Sequence, residues 1–201
     1  MNKLIALWSA ILIANLSSAQ EILPLQQAQK IARLVVKSIR ATNDLPLSLE
    51  INVEKPQALK AGEVGILVIP ATRLSEETLS KADKDVTPLG QLWMLKALPA
   101  RNGKVTAREK LRLVEVTDDG KEVKVPLFLL GARRSEKGSL ELLIYAKDKA
   151  PLLELPMEKT DARQEFPIEL QGRKQDDTSG ILTLNILGKY KVELTVMKPE
   201  D

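Results

Sequence analysis

The stretch LRLVEVTDDGKEVKVPLFLL, residues 111–130, decides the fold class. The second arm carries apolar side chains at every second position. A half-buried strand needs that spacing, because successive side chains point to opposite faces of extended backbone. Between the arms lies Asp118-Asp119-Gly120, and an Asp-Gly pair suits the positive φ angles of a tight turn. Residues 110–117 therefore read as the outgoing strand of a hairpin. Residues 122–130 return with Val123, Val125, Leu127 and Leu129 on one face. Pro126 brings no amide hydrogen, so this strand is expected to lie at an edge or carry a bulge there.

Toward the C-terminus, residues 131–138 read as a charged loop, 140–146 as a strand, and 152–155, between Pro151 and Pro156, as a short one. Residues 166–170 form another strand and 171–180 a polar loop. A second hairpin has arms 181–187 and 190–197 with Gly188-Lys189 as a type II′ turn, and Val192, Leu194 and Val196 alternate with polar neighbours.

Toward the N-terminus, residues 89–98 are apolar on both faces, including Leu92, Trp93, Met94 and Leu95. That is the mark of a central, covered strand. Residues 75–81 read as one or two helical turns capped by Ser75, with Leu74 and Leu79 as a hydrophobic staple. Thr78 stands where a capping box has Glu, leaving the box incomplete. Residues 64–69 form a strand closed by Pro70 and preceded by a turn at residues 60–63. Leu47, Leu49, Ile51 and Val53 alternate with polar residues as a strand that Lys55-Pro56 ends. Residues 25–40 carry Ala28, Ile31, Ala32, Val35 and Ile39 on one helical face; the competing reading is a strand over residues 32–39 centred on Val35-Val36. The pattern as a whole implies an all-β fold, an immunoglobulin-like β-sandwich of about nine strands with one N-terminal amphipathic helix. The expected organisation is a signal peptide over 1–19, a helical segment over 20–44 and the sandwich over 45–201.

The signal peptide is read from Lys3, an apolar run over residues 4–16, and Ser17-Ser18-Ala19 before Gln20. The run falls short of the roughly 20 residues of a membrane span, so no stable span is expected after cleavage; an uncleaved anchor is the alternative. The chain has no Cys and no His. Ser-His-Asp and Cys-His catalysis, Cys/His zinc sites and disulfides are thereby excluded. Carboxylate pairs remain: Asp83 with Asp85 alternate as in some calcium loops but lack the rest of the EF-hand pattern, and Asp118-Asp119 and Asp176-Asp177 fit polar turns. No Ser-x-x-Lys and no Gly-rich phosphate loop occurs. No catalytic residue, cofactor or metal ligand is assigned.

With 30 Lys and Arg against 27 Asp and Glu, the charge is close to balance. The basic residues still show one pattern. Arg108, Lys110 and Arg112 recur at period two and would share a strand face, with Arg133 and Arg134 in a later loop. They are candidates for an anion- or partner-binding surface; a solvated face that discourages edge pairing is the alternative. Trp93 is read as core. Aromatics are too scarce for stacking on nucleic acid, and no nucleic-acid partner is expected. The expectation for function is an exported, non-enzymatic binding module of the periplasm or extracellular space. Its partner would be another envelope or extracellular protein, or an acidic polymer. The alternatives are an envelope assembly protein working through sheet edges, and a carboxylate-dependent hydrolase.

Overall fold

The computed structural model describes residues 20–39, 45–83, 85–118 and 120–199. The expected signal peptide lies outside them, as do Arg40, Lys84 and Asp119. The elements are β1 (Glu21–Ile22), α1 (Leu25–Ser38), β2 (Gln57–Ala61), β3 (Val64–Pro70), α2 (Glu76–Ser80), β4 (Thr87–Leu95), β5 (Leu98–Arg101), β6 (Lys104–Val105), β7 (Arg112–Asp118), β8 (Lys121–Arg134), β9 (Leu140–Tyr145), β10 (Leu153–Pro156), β11 (Glu158–Lys159), β12 (Ile168–Lys174), β13 (Ser179–Ile186) and β14 (Tyr190–Met197). The all-β class holds, with fourteen strand segments among the described residues rather than about nine.

Two sheets form. The first runs β1-β2-β3-β4-β8-β9-β10 with β7 also on β8; the second runs β12-β13-β14-β5-β6 with β11 on β14. This largely sequential order does not reproduce the ABED and CFG sheets of an immunoglobulin domain. The sheets share one apolar core, with Ile66, Leu92, Phe128 and Leu142 from the first and Leu170, Leu184, Ile186 and Leu194 from the second.

The other face of the first sheet has its own cover. Ala28, Ile31, Ala32 and Val35 of α1 are buried against Leu67, Trp93, Val116, Leu127 and Leu143. The helix reading is therefore correct, and the apolar face docks on its own domain. Arg33 and Gln29, on the helix flank, hold Glu54, the Arg33 contact at 2.8 Å. Trp93 is 2% exposed, and its indole N–H donates to the buried Gln91 Oε1 at 3.1 Å.

The hairpin of residues 111–130 is present, with Asp118 opposite Lys121 and Gly120 at φ +78°. Its second arm is longer than the sequence implied. β8 continues through Gly131 to Arg134, so the charged loop shrinks to the turn after it. Gly131 stays in the strand because its missing side chain seats Val86 and Leu47: a Cβ there would lie 2.5 Å from Val86 Cγ1. β8 meets β4 over residues 127–132, while β7 and β9 share its opposite flank end to end. Pro126 falls one residue beyond the last β4 rung, Trp93 with Leu127. It thus occupies an edge-like arm of an otherwise central strand.

Several expectations are corrected. Residues 47–53 form no strand; Ile51 makes an isolated bridge to Ala71, and the segment packs Leu47, Leu49 and Val53 over the face that α1 covers. The alternation reported burial correctly, but Pro70, in the strand alongside, has no N–H to extend a ladder. Residues 57–61, unrecognised in the sequence, are the strand that pairs with β3. Thr78 does complete the capping box at Ser75, its hydroxyl accepting from the Ser75 N–H at 3.0 Å. β12 extends to Lys174, shortening the polar loop that follows. The last turn places positive φ at Leu187 and Gly188, the type I′ pattern, with Lys189 as an extra residue. The Ala162 carbonyl presses on Gly188, where a Cβ would lie 2.3 Å from it.

Candidate functional site

A cleft of about 450 Å³ opens where the two sheets part, beside the β2–β3 turn and the β12–β13 loop. That volume lies in the ~300–1,000 Å³ range of small-molecule sites. Its origin is visible in the register. Gly172, Leu182 and Leu194 form one cross-strand row of the second sheet, and Lys174, Gly180 and Val196 form the next. Gly172 stands where a core side chain would otherwise continue the inward-facing column of Ile168 and Leu170 on β12, and Gly180 where one would continue that of Leu184 and Leu182 on β13. The opposing wall comes from Leu59, Ala61, Val64 and Ile66 of the first sheet. The floor is thus continuous with the inter-sheet core, to which Ala61, Val64 and Val196 are joined. Gln20 reaches into the space that Gly172 vacates, where a Cβ would come within 2.5 Å of its Oε1.

The mouth is charged, and its acids are held by neighbouring donors. Asp176 accepts from the Thr178 N–H (2.8 Å), the Thr178 hydroxyl (2.9 Å), the Ser179 N–H (2.7 Å) and the Ser179 hydroxyl. These bonds, the Ser179 hydroxyl first, hold its carboxyl well below the usual carboxylate range. Asp177 is also lowered, chiefly by the hydrogen bond from Lys174 at 2.6 Å. Glu63 is lowered by Lys96, which donates at 2.8 Å. The Lys198 ammonium acts on both Asp177 and Glu63 through space. Its backbone N–H donates to the Thr178 carbonyl at 2.9 Å, fixing it beside the loop. All three of these acids are shifted downward by their donors. Among the described residues no group of three or more Asp or Glu converges as a metal site would require, Asp83 and Asp85 included.

The basic residues singled out in the sequence do not form one stripe. Residues 108–110 make a single 3-10 turn, so Arg108, Lys110 and Arg112 share no strand face. Arg108 and Lys110 are exposed. Arg112 donates to the carbonyls of Ala146 (3.3 Å) and Lys147 (3.1 Å), joining the start of β7 to the end of β9. Arg133 contacts Glu154 at 2.6 Å and Glu141 at 3.6 Å. Arg134 donates to the carbonyls of Ala82 (3.2 Å) and Gly138 (2.9 Å). Arg112 pairs opposite Leu127 and Arg133 sits on β8 itself, six residues on; at ~3.3 Å per residue that is about 20 Å of strand.

Comparison with protein-family models, with curated proteins and with solved structures finds no match. No helix among the described residues is long and apolar enough to cross a membrane.

The cleft residues escaped sequence reasoning because Gly172 and Gly180 fall in a stretch that composition marks as polar loop. The available signal was the even spacing of Ile168, Leu170 and Gly172, continued past the last apolar residue.

Proposed function

We propose that this chain is an exported, non-enzymatic binding module of the periplasm or extracellular space, built as a β-sandwich that presents the inter-sheet cleft to its ligand. The carrying observation is the cleft itself: apolar walls from both sheets, opened by two inward glycines, under a mouth whose acids each have a partner. A preformed apolar recess with a few polar groups at its rim is the usual form of a binding site. Export rests on the Lys3 to Ala19 pattern.

Assembly through sheet edges is less favoured, because among the described residues the edges other than the outer flank of β7 are short or partly occupied. β1 and β6 have two residues each, and β10 has four and ends on Pro156. The outer N–H of Leu170 on β12 is taken by Gln57 Oε1 from the other sheet.

The test is fractionation of expressing cells, N-terminal sequencing of the recovered protein, and a screen against ester, phosphate, glycoside and peptide substrates. The expected result is a periplasmic or secreted chain beginning at Gln20 with no turnover. A cytosolic chain retaining residues 1–19, or turnover abolished by Asp177→Ala or Glu63→Ala, would contradict the proposal.

A further inference from the structure

We propose that the cleft binds a single-chain anionic amphiphile, its aliphatic tail between the sheets and its acidic head at Lys198 and Lys174; this rests on the binding-module reading. The tail assignment follows from the walls. Leu59, Ala61, Val64 and Ile66 face Leu182 and Val196, and the space runs into the shared core with no buried charge in it. Such a recess gains by desolvating alkyl groups, at about 0.8 kcal/mol per methylene.

The head assignment follows from the charges at the mouth. Asp176 is spent on its own turn, accepting four hydrogen bonds from Thr178 and Ser179. Glu63 is held by Lys96. Asp177 is held by Lys174 in a pair whose acid side chain is 95% exposed, and so open an ion pair is worth little. Lys198 hydrogen-bonds to none of these carboxylates, although its field reaches Asp177 and Glu63. Among the described residues Lys198 therefore has no direct carboxylate contact, and Lys174 is cheaply released from its own. Lys174 lies in the row of Gly180 and Val196, and both Lys174 and Lys198 line the cleft. A carboxylate head bound there replaces Asp177 as the partner of Lys174 and gains Lys198, while the tail displaces the Gln20 side chain from the space beside Gly172. A cationic head of the same tail length meets two ammonium groups instead.

The experiment is isothermal titration of the protein beginning at Gln20 with dodecanoate and with dodecylamine, each below its micelle-forming concentration. Dodecanoate is expected to bind one to one and the amine about tenfold or more weakly, the value of one charge-assisted hydrogen bond. Lys198→Glu, an exposed substitution, is expected to reverse that order. Ala61→Trp is expected to remove binding of both by filling the cleft. The circular dichroism of Ala61→Trp is compared with the parent, and Val196→Phe replaces it if Ala61→Trp misfolds. Equal affinity for the two heads, no response to Lys198→Glu, or no binding of dodecanoate overturns the proposal. Binding of anionic phospholipid vesicles without binding of free dodecanoate overturns it in favour of a membrane surface. Native mass spectrometry of protein recovered from its own cells separates the two readings. A co-purifying species without an alkyl chain, lost in Ala61→Trp, overturns the amphiphile and leaves the binding module standing.

Discussion

Removing Ile31 from the α1 face asks how much of the stability resides in the layer outside the first sheet. Leu23, Ile31 and Val35 are 5%, 1% and 3% exposed, and Ala28 and Ala32 fill the face between them. At about 1.5–3 kcal/mol for each large side chain, the three large residues contribute about 5–9 kcal/mol. A domain of this kind has only about 5–15 kcal/mol in total. Ile31→Ala loses the transfer energy of its methyl groups and leaves a void against Leu67 and Trp93, a cost of about 2–5 kcal/mol. At about 2–4 °C per kcal/mol for a chain of this size, the melting temperature should fall by about 5–20 °C. Urea denaturation followed by Trp93 fluorescence measures the same loss independently. Arg33→Ala is the control: its contact with Glu54 is made between side chains 55% and 61% exposed, so it should cost under about 1 kcal/mol. If Ile31→Ala and Val35→Ala both stay within about 0.5 kcal/mol of the parent, α1 does not cover the sheet and the layering is wrong.

Other expectations follow from single positions. Gly90→Ala puts a Cβ 2.4 Å from the Ile69 carbonyl, backbone that cannot yield without parting β3 from β4; a loss of about 3 kcal/mol or more should appear as a lowered urea midpoint. Gln57→Leu orphans the Leu170 N–H at the β12 edge. It should cost about 1–3 kcal/mol and speed hydrogen exchange at Leu170 while the amides facing β13 stay protected. Asp176→Asn tests the loop at the cleft mouth. The folded carboxyl titrates lower than the unfolded one, so its stabilisation is full above the unfolded value of about 4 and fades as pH falls through the folded one. The stability difference between parent and variant should be constant near neutrality and shrink in acid; a difference that grows in acid would reverse the sign.

Much of the fold could be read from the sequence, because alternation and helical periodicity record burial. They do not record hydrogen bonding, and the corrections lie there. Leu47, Leu49 and Val53 are turned inward as their spacing says, yet the segment runs over the sheet and meets it only at the isolated Ile51–Ala71 bridge. Residues 57–61 pair fully with β3 although Gln57 and Lys60 blur their pattern. The reach of β8 past Gly131 depends on Val86 and Leu47 needing that vacancy, a contact between distant parts of the chain. The cleft was the least legible feature. Its defining residues are glycines, and only the register of β12 with β13 shows that they replace core side chains. Lys198 carries no local signal, since its place at the cleft comes from the bond of its N–H to the Thr178 carbonyl in another loop.

The claim that recognition occurs between the sheets is tested most directly by methyl NMR of Ile, Leu and Val groups during titration with dodecanoate. The account predicts saturable shifts at Leu59, Val64, Ile66, Leu182 and Val196, with Ile31 and Val35 under α1 unmoved. Shifts centred on the helix layer, or spread evenly over the surface, would contradict it.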